Sequence, residues 1–139
     1  MFDKNIQVSD LQKISKNTMV DHLGIEFTEL GEGFIGARMP VDHRTHQPMG
    51  LLHGGASLVL AETLGSVASS ILVDMKKYFC VGLEINANHI KSARNGFVMG
   101  KATPIHLGKK THVWDIKIRN ESDDLICISR LTIAVIRKK

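Results

Sequence analysis

Two cysteines, Cys80 and Cys127, are all that the sequence offers. Both fall in apolar, strand-like runs, so they read as buried thiols; nothing points to a disulfide framework or a cysteine-based metal site. The chain has one Trp and one Tyr. Without aromatic residues interleaved among basic ones, nucleic acid is not expected as a partner. The first residues, Met1-Phe2-Asp3-Lys4-Asn5, lack the charged-then-apolar layout of a signal peptide, and a cytoplasmic protein is the expectation. The nearest approach to a membrane span is the stretch 56–73. It carries Glu62 near its middle and Ser57, Ser66, Ser69 and Ser70 besides. A carboxylate at a bilayer centre costs roughly 2.5–3.5 kcal/mol, which argues against a span.

Several catalytic signatures are also missing. His53-Gly54-Gly55 has the look of a lipase oxyanion loop, but the residue two after Ser57 is Val59, so no Gly-x-Ser-x-Gly elbow exists. Gly108-Lys109-Lys110-Thr111 matches the tail of a P-loop, but Thr103 stands where the upstream glycine belongs. Asp42, His43 and His46 have no helical His-Glu-x-x-His or cysteine-rich partner set, and no metal is expected.

What remains is one compact unit. The chain has 139 residues, 43% of them hydrophobic, which suits a single domain (1–139) with a real core. Its formal charge of +4 suits anionic ligands and equally suits ordinary solubility. No repeat, low-complexity tract or linker divides it.

Residues 1–23 read as an N-terminal helical extension. Ser9 to His22 predicts a short helix, with Ser9 and Gln12 as a capping box, Leu11, Ile14 and Met19 as an apolar stripe, and Gly24 at its end. Strands follow at 25–30 and 34–41, joined by Gly31-Glu32-Gly33, with Ile35, Ala37, Met39 and Val41 on one face. A polar loop, 42–48, leads into the stretch from Gly55 to about Val73. This is small, apolar and free of Pro, and a helix apolar on nearly all sides is a buried one. Four more strands are predicted at 79–90, 97–105, 112–119 and 125–136. In the third, Trp114, Ile116 and Ile118 alternate with charged residues. Short turns favour antiparallel pairing, so the expected class is α+β, an antiparallel sheet wrapped around one long central helix.

Glu62 is the only ionisable residue of that helix. An unpaired structural role there would be costly, whereas a carboxylate in a partly apolar site can serve as general base or nucleophile. Ser66, at i+4 on the same face, is the candidate hydrogen-bond donor to it. His53-Gly54-Gly55 opens the helix. Unpaired N–H groups at a helix start can bind an oxyanion, and glycine permits a ligand carbonyl to approach closely. His53 could orient a leaving group or cap the helix. Gly54 and Glu62, eight residues apart, are separated by roughly 12 Å of helix axis. One carbonyl carbon cannot touch both in the same chain. The catalytic reading therefore demands a two-fold dimer, with the helices antiparallel and two shared sites.

The stretches Gln47-Pro48-Met49-Gly50-Leu51-Leu52-His53-Gly54-Gly55-Ala56-Ser57, Leu60-Ala61-Glu62-Thr63-Leu64-Gly65-Ser66, Val81 to His89 and Pro104 to Gly108 carry a family pattern. It resembles the hotdog-fold acyl-CoA thioesterases of the 4-hydroxybenzoyl-CoA thioesterase type, over about 24–136. The nearest branch acts on 1,4-dihydroxy-2-naphthoyl-CoA in menaquinone synthesis. The resemblance implies hydrolysis of an aryl- or acyl-CoA thioester without metal or bound cofactor. Gln47 and the Gly54 N–H would polarise the carbonyl. Glu62 from the opposite subunit would be nucleophile or base, Ser66 would hold the water or the carboxylate, and His53 would aid the departing thiol. Gly82, the run His89, Ile90, Lys91 and Ser92, and the run His106, Leu107, Gly108, Lys109, Lys110 and Thr111 would lie along the CoA arm. A homotetramer, a dimer of dimers, is implied. Relatives often carry Phe at Met49 and Arg at Lys91. The first difference bears on the acyl pocket, because Met is compliant; the second gives up bidentate phosphate contact. The rival readings are a hotdog dehydratase of 3-hydroxyacyl thioesters and a non-catalytic acyl-CoA-binding module.

Overall fold

Alternation along the chain becomes alternation of sheet faces. Strands β1 (Glu26–Gly31), β2 (Phe34–Pro40), β3 (Tyr78–His89), β4 (Phe97–Leu107), β5 (Thr111–Asn120) and β6 (Leu125–Arg137) form one sheet in the order β1-β2-β4-β5-β6-β3, every neighbour antiparallel. This computed structural model describes residues 1–139. Ile35, Ala37, Met39, Val98, Ala102, Trp114, Ile116, Ile118, Leu131 and Ile133 turn to one face and are buried. Each large side chain of this set stabilises the fold by about 1.5–3 kcal/mol. All the predicted strands exist, with ends moved by one or two residues.

Helix α3 (Gly54–Leu72) lies on that face and packs against β2 through β6. Its buried residues, Ala56, Ser57, Leu60, Ala61, Leu64, Gly65, Ala68 and Ser69, form one stripe at helical spacing. The expectation that the rest of the chain covers the helix holds for this side only. Val59, Glu62, Thr63, Ser66, Val67 and Ser70 are half-buried, because six strands curl over one sector of the cylinder and leave the other open. Farther along the helix, Ser69 ties it to the sheet. Its Oγ accepts from Trp114 Nε1 at 2.8 Å and lies 3.0 Å from Nδ1 of buried His112.

The N-terminal extension departs from expectation. It is two helices, α1 (Val8–Ile14) and α2 (Met19–His22), rather than one. Ser15 Oγ bonds back to the Leu11 carbonyl, Thr18 Oγ1 to the Ser15 carbonyl, and Asn17 takes a left-handed φ of 60°. Polar side chains that bond to nearby backbone compete with the helix, and here they break it. The Ser9–Gln12 capping box is absent. Asp10 accepts from the Gln7 N–H at 3.0 Å, while Gln12 bridges to Ile25 and Phe27. Of the stripe, Leu11 is buried, but Ile14 and Met19 are exposed.

Strand β3 is a twelve-residue sheet edge. It pairs with β6 on one side, and Phe79, Val81 and Leu83 are exposed.

Candidate active site

The start of α3 is built from its own loop. His53 N–H donates to the Thr45 carbonyl at 2.8 Å, and Thr45 Oγ1 donates to the Pro40 carbonyl at 2.7 Å. Arg44 grips Asp42 at 2.7 Å, and its hydrogen bond holds the Asp42 carboxyl down at about 2. His46 Nε2 lies 2.9 Å from the Arg94 carbonyl, so this ring is used in bracing the loop. The first turn of α3 has its usual outward N–H groups. Gly55 donates to His53 Nδ1 at 2.8 Å, and Ala56 and Ser57 donate to the His53 carbonyl at 3.0 and 3.3 Å. Nothing accepts from Gly54 N–H. His53 thus caps the helix through Nδ1, which places its ring proton on Nε2.

Gln47 stands beside this free donor. Its Oε1 accepts from the N–H groups of Met49 and Leu51. Those groups can only donate, so the carboxamide presents oxygen to its own loop and leaves NH₂ unbonded. Gln47, Gly54, Ser57, His89, Ile90, Lys91 and Ser92 line one cavity of about 290 Å³. Glycine at 54 lets the His89 ring lie close: a Cβ there would stand 2.7 Å from His89 Nε2, so any larger residue would displace that ring. Lys91 is already paired with Asp124 at 2.7 Å, but both side chains are exposed, and such a pair is worth little.

Glu62 is not in that cavity. It lies in a second, largely apolar groove of about 350 Å³ with Met19, Val20, Val59, Thr63, Ser66 and Val67. Ser66 shares the groove, yet no hydrogen bond joins it to Glu62, contrary to the role expected of it within one chain. Gly82 lies directly against the carboxylate. A Cβ at 82 would stand 2.5 Å from Glu62 Oε1, so this glycine, expected on the CoA arm, makes room for the acid.

Sheet register separates the remaining residues. Gly82 pairs with Ile133, Ile133 with His112, and His112 with Leu107. The run His106 to Thr111 therefore lies at the Glu62 end, with Lys109 and Lys110 exposed. His89 pairs with Cys127, and Cys127 with Ile118, a different row. The residues expected along one CoA arm thus fall into two groups within a chain, His89 to Ser92 near Gly54 and His106 to Thr111 near Glu62. Sequence reasoning missed Ser57, buried in the first cavity, although it follows Gly54 by three residues, on the same helix face. It also missed Met19 and Val20 as walls of the second, having turned Met19 inward.

A model of the thioesterase superfamily matches residues 49–127. The chain is 47% identical to an Escherichia coli 1,4-dihydroxy-2-naphthoyl-CoA hydrolase, over 98% of this chain and 99% of that protein. It is 46% identical to a proofreading thioesterase of Cronobacter turicensis, over 97% and 98%. The crystal structure of a mutant Pseudomonas aeruginosa thioesterase superposes with a TM-score of 0.96 at 49% identity, covering 99% of each chain. The six-stranded antiparallel sheet with its long central helix is the hotdog fold of these thioesterases.

Proposed function

We propose that this chain, which belongs to the thioesterase superfamily and is a thioester hydrolase, cleaves an aryl- or acyl-CoA thioester to free acid and CoA at a site shared by two subunits. The observation that carries this reading is the unpaired Gly54 N–H beside the free Gln47 amide, in a cavity with no carboxylate of its own. Two donors converging there suit the oxygen of a thioester carbonyl as it gains charge; such a donor is typically worth about 2.7–4 kcal/mol of barrier. The acid is half a helix away. A second chain, related by a two-fold axis with its α3 antiparallel, brings Glu62 of the partner subunit to this carbonyl. Strand β3 favours that pairing, because a long edge with exposed apolar side chains readily accepts a further strand. A dimer of dimers is the proposed assembly.

Two routes suit Glu62. Its carboxylate attacks the carbonyl carbon, the C–S bond breaks, and water then cleaves the mixed anhydride. Alternatively it takes a proton from water as the water oxygen adds to that carbon. In both, the sulfur leaves as thiolate, and His53 Nε2–H is the donor placed at the same helix end to assist it. No metal or bound cofactor is required. Lys109, Lys110 and the His89 to Ser92 run would meet the phosphates and pantetheine of CoA. Similarity to the Escherichia coli hydrolase makes an aromatic acyl group, 1,4-dihydroxy-2-naphthoyl among them, the proposed substrate class, in the cytoplasm and in menaquinone synthesis.

Subunit mixing tests the shared site. Glu62→Ala and Gln47→Glu are each expected to lose CoA-thiol release from an aryl-CoA. Mixed and allowed to exchange, they form hybrids in which one site keeps both an intact Gln47 and an intact Glu62, and activity returns. No recovery, with exchange verified by native mass spectrometry, would sink the shared site. Free-thiol release also separates hydrolysis from dehydration, which leaves the thioester whole.

A further inference from the structure

We infer that Met19 and Val20 of α2 form the selecting wall of the acyl subsite and so set which acyl groups this enzyme accepts; the inference rests on the hydrolase reading above. Glu62 acts at the thioester carbonyl, so a cavity opening beside it receives one of the two groups on that carbon. The CoA side is polar and phosphorylated. The groove at Glu62 is largely apolar, floored by Val59 and Val67 of α3, and therefore takes the acyl side. Its volume of about 350 Å³ is at the small end of the roughly 300–1,000 Å³ common for ligand pockets, which suits a ring system or a short chain.

The opposite wall comes from the N-terminal extension. Val20 packs against the core and anchors α2, while Met19 is 63% exposed yet lines the groove. An apolar side chain so exposed adds little to the core, and its contribution is to the cavity it borders. The break at Asn17 creates this placement by ending α1 and redirecting the chain onto α3. Met19 and Val20 also lie outside residues 49–127, the span of the superfamily match, so this wall is not part of what the superfamily model describes. Methionine is unbranched and polarizable, which lets one wall fit a flat ring or a bent chain.

The test is a panel of acyl-CoAs, from butyryl to benzoyl to naphthoyl, ranked by kcat/KM for the unmodified protein, Met19→Trp, Met19→Ala and Val20→Ala. Met19→Trp narrows the groove and should lower the naphthoyl-to-butyryl ratio about tenfold or more, the effect of a methylene or so in a close-fitting pocket. Met19→Ala and Val20→Ala should move that ratio the other way. Ile14→Ala, a change at an equally exposed apolar residue of α1 outside the groove, should leave it where it was. Unchanged ratios in all three groove variants, with unmodified activity and circular dichroism intact, would overturn the inference. A uniform loss across the panel in all three would overturn it too, because a merely structural role lowers every substrate alike. Failure of the unmodified protein to release thiol from any member would instead overturn the proposed substrate class, and the inference with it.

Discussion

The two ends of the functional stretch of α3 are built on opposite plans. At its start several polar side chains are tied down within the chain: Gln47 Oε1 on its own loop, His53 Nδ1 on Gly55, Thr45 on Pro40 and Asp42, and His46 on the more distant Arg94 carbonyl. Geometry here is fixed before anything binds, and what is left over is two donors, Gly54 N–H and the Gln47 amide. At Glu62 the reverse holds. The carboxylate has no hydrogen-bond partner within the chain and sits over a glycine in a groove of apolar side chains. The donor end is complete within the chain; in the proposed shared site the acid end takes its meaning from what a second chain would bring. Pre-formed donors cost no reorganisation when charge develops.

The difference can be broken in four places. The largest expected effect is at the acid: Glu62→Ala should fold and lose a thousandfold or more of kcat, about the span of general-base catalysis, checked by thiol release. At the donor end, Gln47→Glu keeps an oxygen for the Met49 and Leu51 N–H groups while replacing the amide donor with negative charge. Its kcat should fall by about 10²–10³-fold with the melting temperature nearly unchanged.

Anchoring comes next. Ser69→Ala strands the Trp114 and His112 nitrogens in the core, at about 1–3 kcal/mol for each orphaned group, read by denaturant unfolding. The same cluster gives a pH signature. Burial, with His106 nearby, pushes the His112 pKa below its ordinary 6.5, so the unfolded chain binds a proton that the folded one resists. Stability contributed by neutral His112 is complete above pH 6.5 and should decline as pH falls below it. A flat stability profile between about pH 7 and 5 would argue against this account of the cluster. The smallest effect is the helix cap: His53→Ala should cost about 1 kcal/mol by calorimetry, with a modest loss in kcat if Nε2–H assists the leaving thiol.

Much of this was legible in the residues. Trp114, Ile116 and Ile118 gave β5 its buried face by period alone, and the lack of any charge but Glu62 between Gly54 and Leu72 marked both helix and acid. The axial separation of Gly54 and Glu62 followed from their spacing. Other features were not legible. Ser9 and Gln12 satisfied a capping pattern, but the helix starts two residues earlier from Gln7, with Asp10 on the Gln7 N–H, and the Gln12 amide is drawn to Ile25 and Phe27 across the fold. Which way Met19 faced depended on where α2 landed. The two groups of CoA-arm residues are equally plausible on one surface until register places them in separate rows.

The sequence by itself determined the elements, the faces they bury and the identity of the lone acid, because these depend on side-chain periodicity and on the cost of burying charge, both local to the chain. Tertiary structure decided which residues share a cavity. That depends on strand order, on register and on the sector of α3 that six strands leave open, and no local spacing encodes the distance between Gly54 and His89 or between Glu62 and Gly82.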